Sequence, residues 1–262
     1  MTPDDTGRDA LIGSTGFVGG NLGRQRSFGS LFHSANIDEI RGRRFHKVIC
    51  AAPGAEKWKA NLDPESDRAA VESLWEPLQS VEADEFILIS TIDVYPDPVE
   101  VDEDTEIDIE RCTPYGRHRL ELERRVADRF RSLVVRLPGL FGPGLKKNAL
   151  YDLLHDHRLT AIDSRARYQF YDVTRLADDL ETARRAGLSL VNLATEPVAI
   201  EQVARDIFGV QLAPRAEMSP ARYDFRTRYA ELLGGSGWYL RSKAEILELI
   251  RAWVHREREN TS

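Results

Sequence analysis

Short apolar runs alternate with amphipathic stretches along the first half of the chain. The apolar runs, typical of parallel strands covered on both faces, lie at residues 10–12, 47–52, 85–90 and 132–137. Residues 67–82 and 117–130 carry apolar side chains at helical spacing, so each stretch predicts an amphipathic helix. Strands that alternate with helices predict right-handed crossovers and a parallel sheet.

The second half of the chain has a less regular pattern. Residues 140–147 contain Gly142, Pro143 and Gly144 and predict a loop. Beyond it, we expect strands at 167–173 and 190–194, and helices at 151–157, 174–186, 200–208 and 243–255. No linker of flexible composition separates the halves, so a second lobe would be built from excursions of one continuous fold.

A glycine-rich segment follows the first predicted strand and opens a helix. Gly13 allows a tight turn, Gly16 allows close approach of the backbone to a pyrophosphate, and Gly19 lets helix and strand pack closely. The N–H groups at the start of the helix would face the phosphates. The strand before and the helix after favour a dinucleotide-binding loop, and the alternative is a purely structural glycine turn.

Composition and charge narrow the kinds of partner. The 262 residues are 42% hydrophobic, and the net charge of -7 disfavours nucleic acid and anionic membranes, although a local basic pocket for a small anion stays open. Two cysteines, Cys50 and Cys112, exclude a disulfide framework, and the histidines lack metal-ligand spacing, so no metal site is expected. No apolar run approaches the roughly 20 residues that a membrane-spanning helix needs. The N-terminal residues also lack the apolar segment of a signal peptide, so we expect a soluble cytoplasmic protein.

The G-x-x-G-x-x-G spacing resembles the short-chain dehydrogenase/reductase superfamily, specifically its extended branch of sugar-nucleotide epimerases, dehydratases and reductases. Two further segments resemble this branch: S-T-I-D-V-Y at residues 90–95 and P-Y-G-R-H-R at residues 114–119. The resemblance implies an α/β fold with a Rossmann-type doubly wound parallel sheet and a small C-terminal substrate lobe. The stretch between the glycine loop and Val48 is short, so we expect one strand–helix unit to be missing there.

The resemblance also implies a domain organisation and an assembly. Residues 1–262 would form a single extended unit, in which 8–138 make up mainly the dinucleotide-binding core and 139–262 mainly the substrate lobe. The partner would be a small-molecule substrate, and a homodimer stays open.

The cofactor implied by the resemblance is NAD or NADP. The residues expected to bind it are Gly13, Thr15, Gly16, Phe17, Val18, Gly19, Ser34, Ala51, Ala52, Pro53, Ser90, Tyr115, Arg119, Pro138 and Leu140. The stretch 31–36 offers His33, Ser34 and Asn36 where an acidic residue would favour NAD, and Arg24 and Arg26 nearby suit a 2′-phosphate. The choice between NAD and NADP therefore stays open.

The resemblance places Thr91, Tyr115 and Arg119 at the catalytic positions. Tyr115 would exchange a proton with a substrate hydroxyl, and Thr91 would hold the substrate oxygen. A cation four residues after the tyrosine lies on the same helix face and would lower the phenol pKa from about 10 towards neutrality.

Two departures from the branch put turnover in question. The branch has a lysine at the position of Arg119, and an arginine is not interchangeable with it. The asparagine that the branch often places in the preceding helix aligns with Ala70. Two hypotheses follow: an NAD(P)-dependent oxidoreductase, epimerase or dehydratase acting on a hydroxylated, sugar-like, nucleotide-linked substrate, or a non-catalytic binding protein for NAD(P) or a nucleotide sugar.

The predicted substrate contacts are Asp93, Lys146 and Asn148. The last two follow residues 135–144, which resemble the segment of the branch that passes the nicotinamide and enters the substrate lobe. Asp93 is open to two interpretations, an acid beside the substrate or a brace for the turn into residues 94–96. Arg226, Thr227 and Arg228 are interpreted as a solvated helix face rather than an anion clamp.

Overall fold

The predicted alternation of strands and helices is present in the structure, a computed structural model that describes residues 6–54, 56–217 and 219–259. The strands are β1 Asp9–Ile12, β2 Ser30–Phe32, β3 Arg44–Cys50, β4 Glu82–Thr91, β5 Ser132–Leu137, β6 Gly139–Phe141, β7 Arg167–Tyr168, β8 Phe170–Asp172, β9 Leu190–Asn192 and β10 Val198–Ala199. The α-helices are α1 Phe17–Gln25, α2 Lys57–Leu62, α3 Pro64–Leu78, α4 Pro114–Arg129, α5 Ala149–Leu154, α6 Leu176–Arg185, α7 Ile200–Val203 and α8 Lys243–Glu259.

The central sheet has six strands in the order β2-β1-β3-β4-β5-β9. β1 pairs in parallel with β2 on one side and with β3 on the other, and β3 pairs in parallel with β4. From β1 the chain first adds β2 on one side, and it then crosses to the other side of β1 to add β3 and β4. The strand order thus switches between β1 and β3, and open α/β sheets bind ligands at such a switch point. Residues 33–43, all of them described, contain only a short 3-10 helix at Ile37–Ile40, which confirms the missing strand–helix unit.

Both faces of this sheet are covered, as the apolar runs predicted. Ala10, Val48 and Phe86 belong to a core cluster that also contains apolar residues of α3 and α4. The alternate strand positions point to the opposite face, and Leu11 and Ile49 there are equally buried. The predicted Rossmann-type α/β fold is thus confirmed.

The chain divides into two compact units. The first contains the described residues up to Asp97 together with Thr105–Arg136 and Leu176–Val191, and the second contains Pro98–Asp104, Leu137–Arg175 and the chain from Asn192 onwards. The second unit holds two small sheets, the parallel pair β6–β8 and the antiparallel pair β7–β10. Its own apolar cluster includes Phe141, Phe170 and Trp253.

Several predictions of secondary structure differ from the structure, three of them as follows. The strand expected at 167–173 is divided into β7 and β8, with Gln169 between them. The helix expected at 200–208 consists of α7 followed by a π-helical turn at Ala204–Phe208. The helix expected at 67–82 begins at Pro64, because the Asp63 carboxylate caps it by accepting from the Ser66 N–H, and it ends at Leu78. Within the described ranges, no helix has the length and apolar character needed to cross a membrane.

Candidate functional site

The glycine loop closes tightly over the carboxyl ends of β1, β2 and β3. The Gly13 N–H donates to the Phe32 carbonyl at 2.8 Å, and Gly13 has a φ of +81°. A Cβ on Gly13 would lie 2.5 Å from the Ala51 carbonyl oxygen, and one on Gly19 would lie 2.1 Å from the Gly13 carbonyl oxygen. Glycine is therefore required at both positions, which is the packing that the sequence predicted.

The start of α1 is open for an anion. The helix begins at Phe17 behind Gly16, which has no side chain to cap the first N–H groups. Thr15 and Gly16 are exposed, and Phe17 and Val18 are half-buried. A pyrophosphate fits this arrangement, because uncapped N–H groups at a helix N-terminus and its dipole both favour negative charge.

The loop after β2 has no carboxylate to accept a hydrogen bond from a ribose. Asn36 braces the loop by accepting from the His33 N–H at 2.7 Å and by donating to the Leu31 carbonyl at 3.1 Å. Ser34 is exposed at its tip. The suggestion that Arg26 meets a 2′-phosphate is wrong, because its guanidinium pairs at 3.0 Å with Asp9, at the start of β1 and away from the glycine loop.

Thr91 and Tyr115 meet where β4 ends and α4 begins. Thr113 caps α4 by accepting from the Gly116 N–H, and this places Tyr115 in the first turn. The Thr91 hydroxyl is close enough to the Tyr115 phenol to favour its ionised form, and only 3% of Tyr115 is exposed. The Tyr115 N–H donates to Asn61 Oδ1 at 3.0 Å, so α2 fixes the backbone from the other side.

Arg119 lies over the Tyr115 ring but is bonded elsewhere. Its guanidinium carbon is 4.5 Å from the ring centroid. Its nitrogens donate to both carboxylate oxygens of Asp67, at 2.9 and 3.1 Å, and to the Gly54 carbonyl at 3.0 Å. His118 Nδ1 is 2.7 Å from the same Asp67 carboxylate. The cation predicted to serve the phenol is therefore one member of a buried cluster with its own counter-ion.

The expected lowering of the Tyr115 pKa does not occur. Burial raises the pKa of the Tyr115 phenol above its usual value, and the charge of Asp93 adds to this rise, although Arg119 and the Thr91 hydrogen bond act in the lowering direction. Burial also opposes ionisation of Asp67, yet hydrogen bonds from Arg119 and His118 hold the pKa of that carboxyl below its usual range. Arg119 thus acts on both groups: it favours the ionised form of Asp67 and opposes the effect of burial on Tyr115.

Asp93 is paired with a lysine that was not expected at the site. Lys57 Nζ lies 2.7 Å from Asp93 Oδ1. The Asp93 N–H donates to the Thr91 hydroxyl oxygen at 3.2 Å, and the second carboxylate oxygen lies 3.5 Å from the same hydroxyl. Asp93 therefore braces the turn and also keeps a carboxylate beside Thr91, so both interpretations of this residue stay open.

The other predicted site residues are distributed between the two units. Ala51, Ala52 and Pro53 directly follow β3, as expected of a small-residue wall, and the Ser90 hydroxyl is engaged in donating to buried Glu123. Pro138, Leu140, Lys146 and Asn148 belong to the second unit. There Asn148 donates to the Leu140 carbonyl and caps α5. Their contacts with cofactor or substrate stay predictions.

The cationic cluster of the second unit is not a helix face. Thr227 lies in a loop and donates to Glu103 at 2.6 Å, while Arg226 pairs with Glu100 at 2.7 Å and Arg228 pairs with Asp104. Each member therefore contacts a carboxylate of residues 100–104, so the interpretation as a solvated helix face is wrong.

Sequence reasoning missed Asp67, His118, Asn61 and Lys57. His118 carried a usable signal, since it is adjacent to Arg119 on a predicted helix. Asp67, Asn61 and Lys57 approach through α2 and α3, and no local pattern identifies their partners, which lie 36 to 54 residues further along the chain. Ala70, aligned with the asparagine of the branch, is exposed.

Solved structures share this architecture over nearly the whole chain. UDP-glucose 4-epimerase from Thermotoga maritima, solved with UDP-glucose, is 15% identical with a TM-score of 0.73, and the match covers 97% of this chain and 99% of that one. The chain has the extended short-chain dehydrogenase/reductase fold. This fold is also shared with a dTDP-4-dehydrorhamnose reductase from Clostridium acetobutylicum (14% identity, TM-score 0.75, 95% and 99% covered) and with an NAD-dependent NDP-hexosamine 5,6-dehydratase of tunicamycin biosynthesis (18% identity, TM-score 0.73, 96% and 98% covered). No family model and no curated protein matches the sequence.

At 14 to 18% identity these neighbours establish the fold and leave the activity to the site itself. In this fold, the glycine loop, the residues after β3, and the Thr91–Tyr115 pair lie at the carboxyl edge of one parallel sheet. The parallel registers Ile12↔Cys50 and Cys50↔Leu88 place the ends of β1, β3 and β4 side by side.

Proposed function

We propose that the protein is an NAD(P)-dependent oxidoreductase that acts on a hydroxylated, sugar-like, nucleotide-linked substrate, with Tyr115 as the acid/base. The observation that carries this proposal is the position of Tyr115 in the first turn of α4, where the Thr91 hydroxyl at the end of β4 acts on its phenol, on the same sheet edge as the glycine loop. The three neighbours support the substrate class, since each is named for a nucleotide-linked sugar.

The protein supplies binding and proton transfer. The uncapped start of α1 and the turn at Gly13 would hold the pyrophosphate of NAD or NADP, and the bound nicotinamide would supply or accept the hydride. Thr91 would donate a hydrogen bond to the reacting oxygen of the substrate. Tyr115 would give its phenol proton to that oxygen as the carbonyl becomes an alcohol, or take the proton back in the opposite direction.

The environment of Tyr115 suits the acid role in proton transfer. Burial raises the pKa of the phenol, so it stays protonated at neutral pH and is ready to give a proton to the oxygen of a keto sugar as that sugar is reduced. Removal of a proton from a substrate hydroxyl needs the phenolate, which is scarce below the pKa.

Binding of the dinucleotide is tested with Gly16→Asp. An aspartate at this position is a good helix N-cap, and its charge repels a pyrophosphate. Its Cβ would lie 3.3 Å from the Gly13 carbonyl oxygen, so thermal unfolding of the variant is measured beside binding. We expect NADH or NADPH to bind the wild-type protein by calorimetry and binding to the variant to fall at least tenfold. Gly23→Asp, which adds the same charge at an exposed position on α1, serves as the control and keeps binding. Failure of the wild-type protein to bind either cofactor would contradict the proposal.

Proton transfer is tested with Tyr115→Phe on nucleotide-linked sugars such as dTDP-4-dehydrorhamnose and UDP-glucose. Loss of the phenol proton lowers kcat by about 100-fold or more, with cofactor affinity retained. In the wild-type protein, reduction is flat with pH near neutrality, whereas oxidation rises about tenfold per pH unit, because the phenolate fraction rises with pH below the raised pKa. Equal kcat in both proteins, or an oxidation rate that is independent of pH, would refute the role of Tyr115.

A second candidate function is a nucleotide-binding protein without turnover. It is favoured by one observation, the commitment of Arg119 to Asp67, which leaves the phenol with a raised pKa. This candidate predicts cofactor binding that Gly16→Asp abolishes, together with no hydride transfer to or from any nucleotide-linked sugar.

A further inference from the structure

Lys57 is a cation at the candidate site that forms an ion pair with Asp93. It lies at the start of α2, with its side chain 41% exposed, and its ammonium is 2.7 Å from the Asp93 carboxylate, which is 17% exposed. Proton transfer by Tyr115 does not use it directly. The contact is between side chains 36 residues apart, so the fold brings them together.

Charges approach the Tyr115 phenol from three elements. Arg119 lies on α4 with the phenol, Asp67 approaches from α3, and Asp93 approaches from the turn after β4. Both carboxylates disfavour the phenolate. Arg119 balances Asp67 through two hydrogen bonds, so it is not available to balance Asp93. The contact with Asp93 is made by Lys57.

We propose that Lys57 is a positioning residue of the site: its ammonium holds the Asp93 carboxylate beside Thr91 and balances that carboxylate's charge next to the Tyr115 phenol. The effect of Lys57 on the reaction rate rests on the proposed function. Its effect on the ionisation of Tyr115 can be measured without any turnover. The site would then contain two separate ion pairs, Arg119 with Asp67 and Lys57 with Asp93, one on each side of the phenol.

The consequence of losing Lys57 has a definite sign. Lys57→Met removes the ammonium beside the Asp93 carboxylate, so phenolate forms less readily and the Tyr115 pKa rises. Asp93→Asn removes the opposing charge and lowers the Tyr115 pKa. In the Asp93→Asn background, removal of Lys57 has little further effect, because the charge that it balanced is gone.

The experiment follows the Cζ resonance of Tyr115 by NMR, with tyrosine labelled at that carbon, from pH 7 to 11. Tyr115→Phe assigns the signal among the eight tyrosines. Lys57→Met, Lys57→Arg, Asp93→Asn and the Lys57→Met/Asp93→Asn double variant are compared with the wild-type protein. Lys59→Met is the matched control, since it removes the same charge from the same helix, where Lys59 faces Glu56 at 3.9 Å. Partial ionisation at pH 10.5 is enough for the comparison.

We expect the Tyr115 phenol to ionise at a higher pH in Lys57→Met and at a lower pH in Asp93→Asn than in the wild-type protein. In Lys57→Arg and Lys59→Met it should ionise at the same pH as in the wild-type protein. The rate of oxidation at pH 8 falls about tenfold in Lys57→Met and recovers in Lys57→Arg. The inference is overturned if Lys57→Met leaves the Tyr115 resonance unchanged, if its shift persists in the Asp93→Asn background, or if Lys59→Met shifts it equally. A wild-type protein without turnover would contradict the proposed function alone, because the NMR comparison still decides the role of Lys57.

Discussion

A single side chain, Asp67, determines what Arg119 is able to do. The motif spacing predicted that Thr91, Tyr115 and Arg119 lie at one site, and the structure brings Arg119 over the Tyr115 ring, while their catalytic roles stay predictions. It did not predict that Asp67 holds the guanidinium, because the two residues are 52 positions apart and the contact depends on how α3 packs against α4. A permanent charge at position 119 therefore does not act as a free cation.

The ion pair between Asp67 and Arg119 should contribute to the stability of the fold. Asp67→Asn leaves the buried Arg119 without its counter-ion, so the free energy of unfolding at pH 7 falls by about 3 kcal/mol. Because the pKa of Asp67 is lowered in the folded state, this contribution is present above the ordinary aspartate pKa and is lost as the pH falls through the folded value. Urea unfolding at pH 7 and in acid, where the difference should shrink, measures the effect.

The control for this prediction is Glu72→Gln. Glu72 joins the same two helices through Arg125 at 2.7 Å, but this pair is largely exposed. We expect its loss to cost less than about 1 kcal/mol. An equal cost for Asp67→Asn and Glu72→Gln would show that burial does not distinguish the two pairs.

At the scale of elements, three helices start earlier than the sequence predicted. The helices predicted from residues 67, 117 and 151 begin at Pro64, Pro114 and Ala149. Each is preceded by a capping side chain, and two of them begin with proline, so Asp-Pro and Thr-Pro were signals that apolar spacing alone does not use. The error matters for the site, because the earlier start places Tyr115 inside the first turn of α4.

The distance between α4 and the turn after β4 is set by a glycine. A Cβ on Gly116 would lie 2.2 Å from the Asp93 carbonyl oxygen, so no other residue allows this approach without movement of the backbone. Tyr115 precedes this glycine, and Thr91 precedes the turn. The placement of Thr91 beside Tyr115 thus depends on backbone packing that the sequence motifs do not reveal.

At the scale of the molecule, the first unit is assembled from three separate segments of the chain. Its last segment contains α6, which returns to the sheet through charged contacts. Glu181 lies 4.0 Å from Lys47, which is only 1% exposed on β3, and Arg184 pairs with Glu85 at 3.0 Å on β4. The sequence predicted the existence of α6 and the strands, but these contacts join residues about one hundred or more positions apart and have no local signal.

Glu181 makes this long-range assembly sensitive to acid. A hydrogen bond from Arg184 outweighs burial and lowers the pKa of Glu181 to about 2, from an ordinary value of 4.5. Since the folded pKa is the lower one, the stabilisation is present above pH 4.5 and is lost as the pH falls to 2, and solvent screening limits it to about 1 kcal/mol at pH 7. Glu181→Gln should therefore lower the free energy of unfolding by about that amount at pH 7 and by much less at pH 2.5. Asp178→Asn, an exposed change on the same helix, should cost less than about 0.5 kcal/mol. If both variants unfold alike at pH 7, the attachment of α6 rests on its apolar face alone.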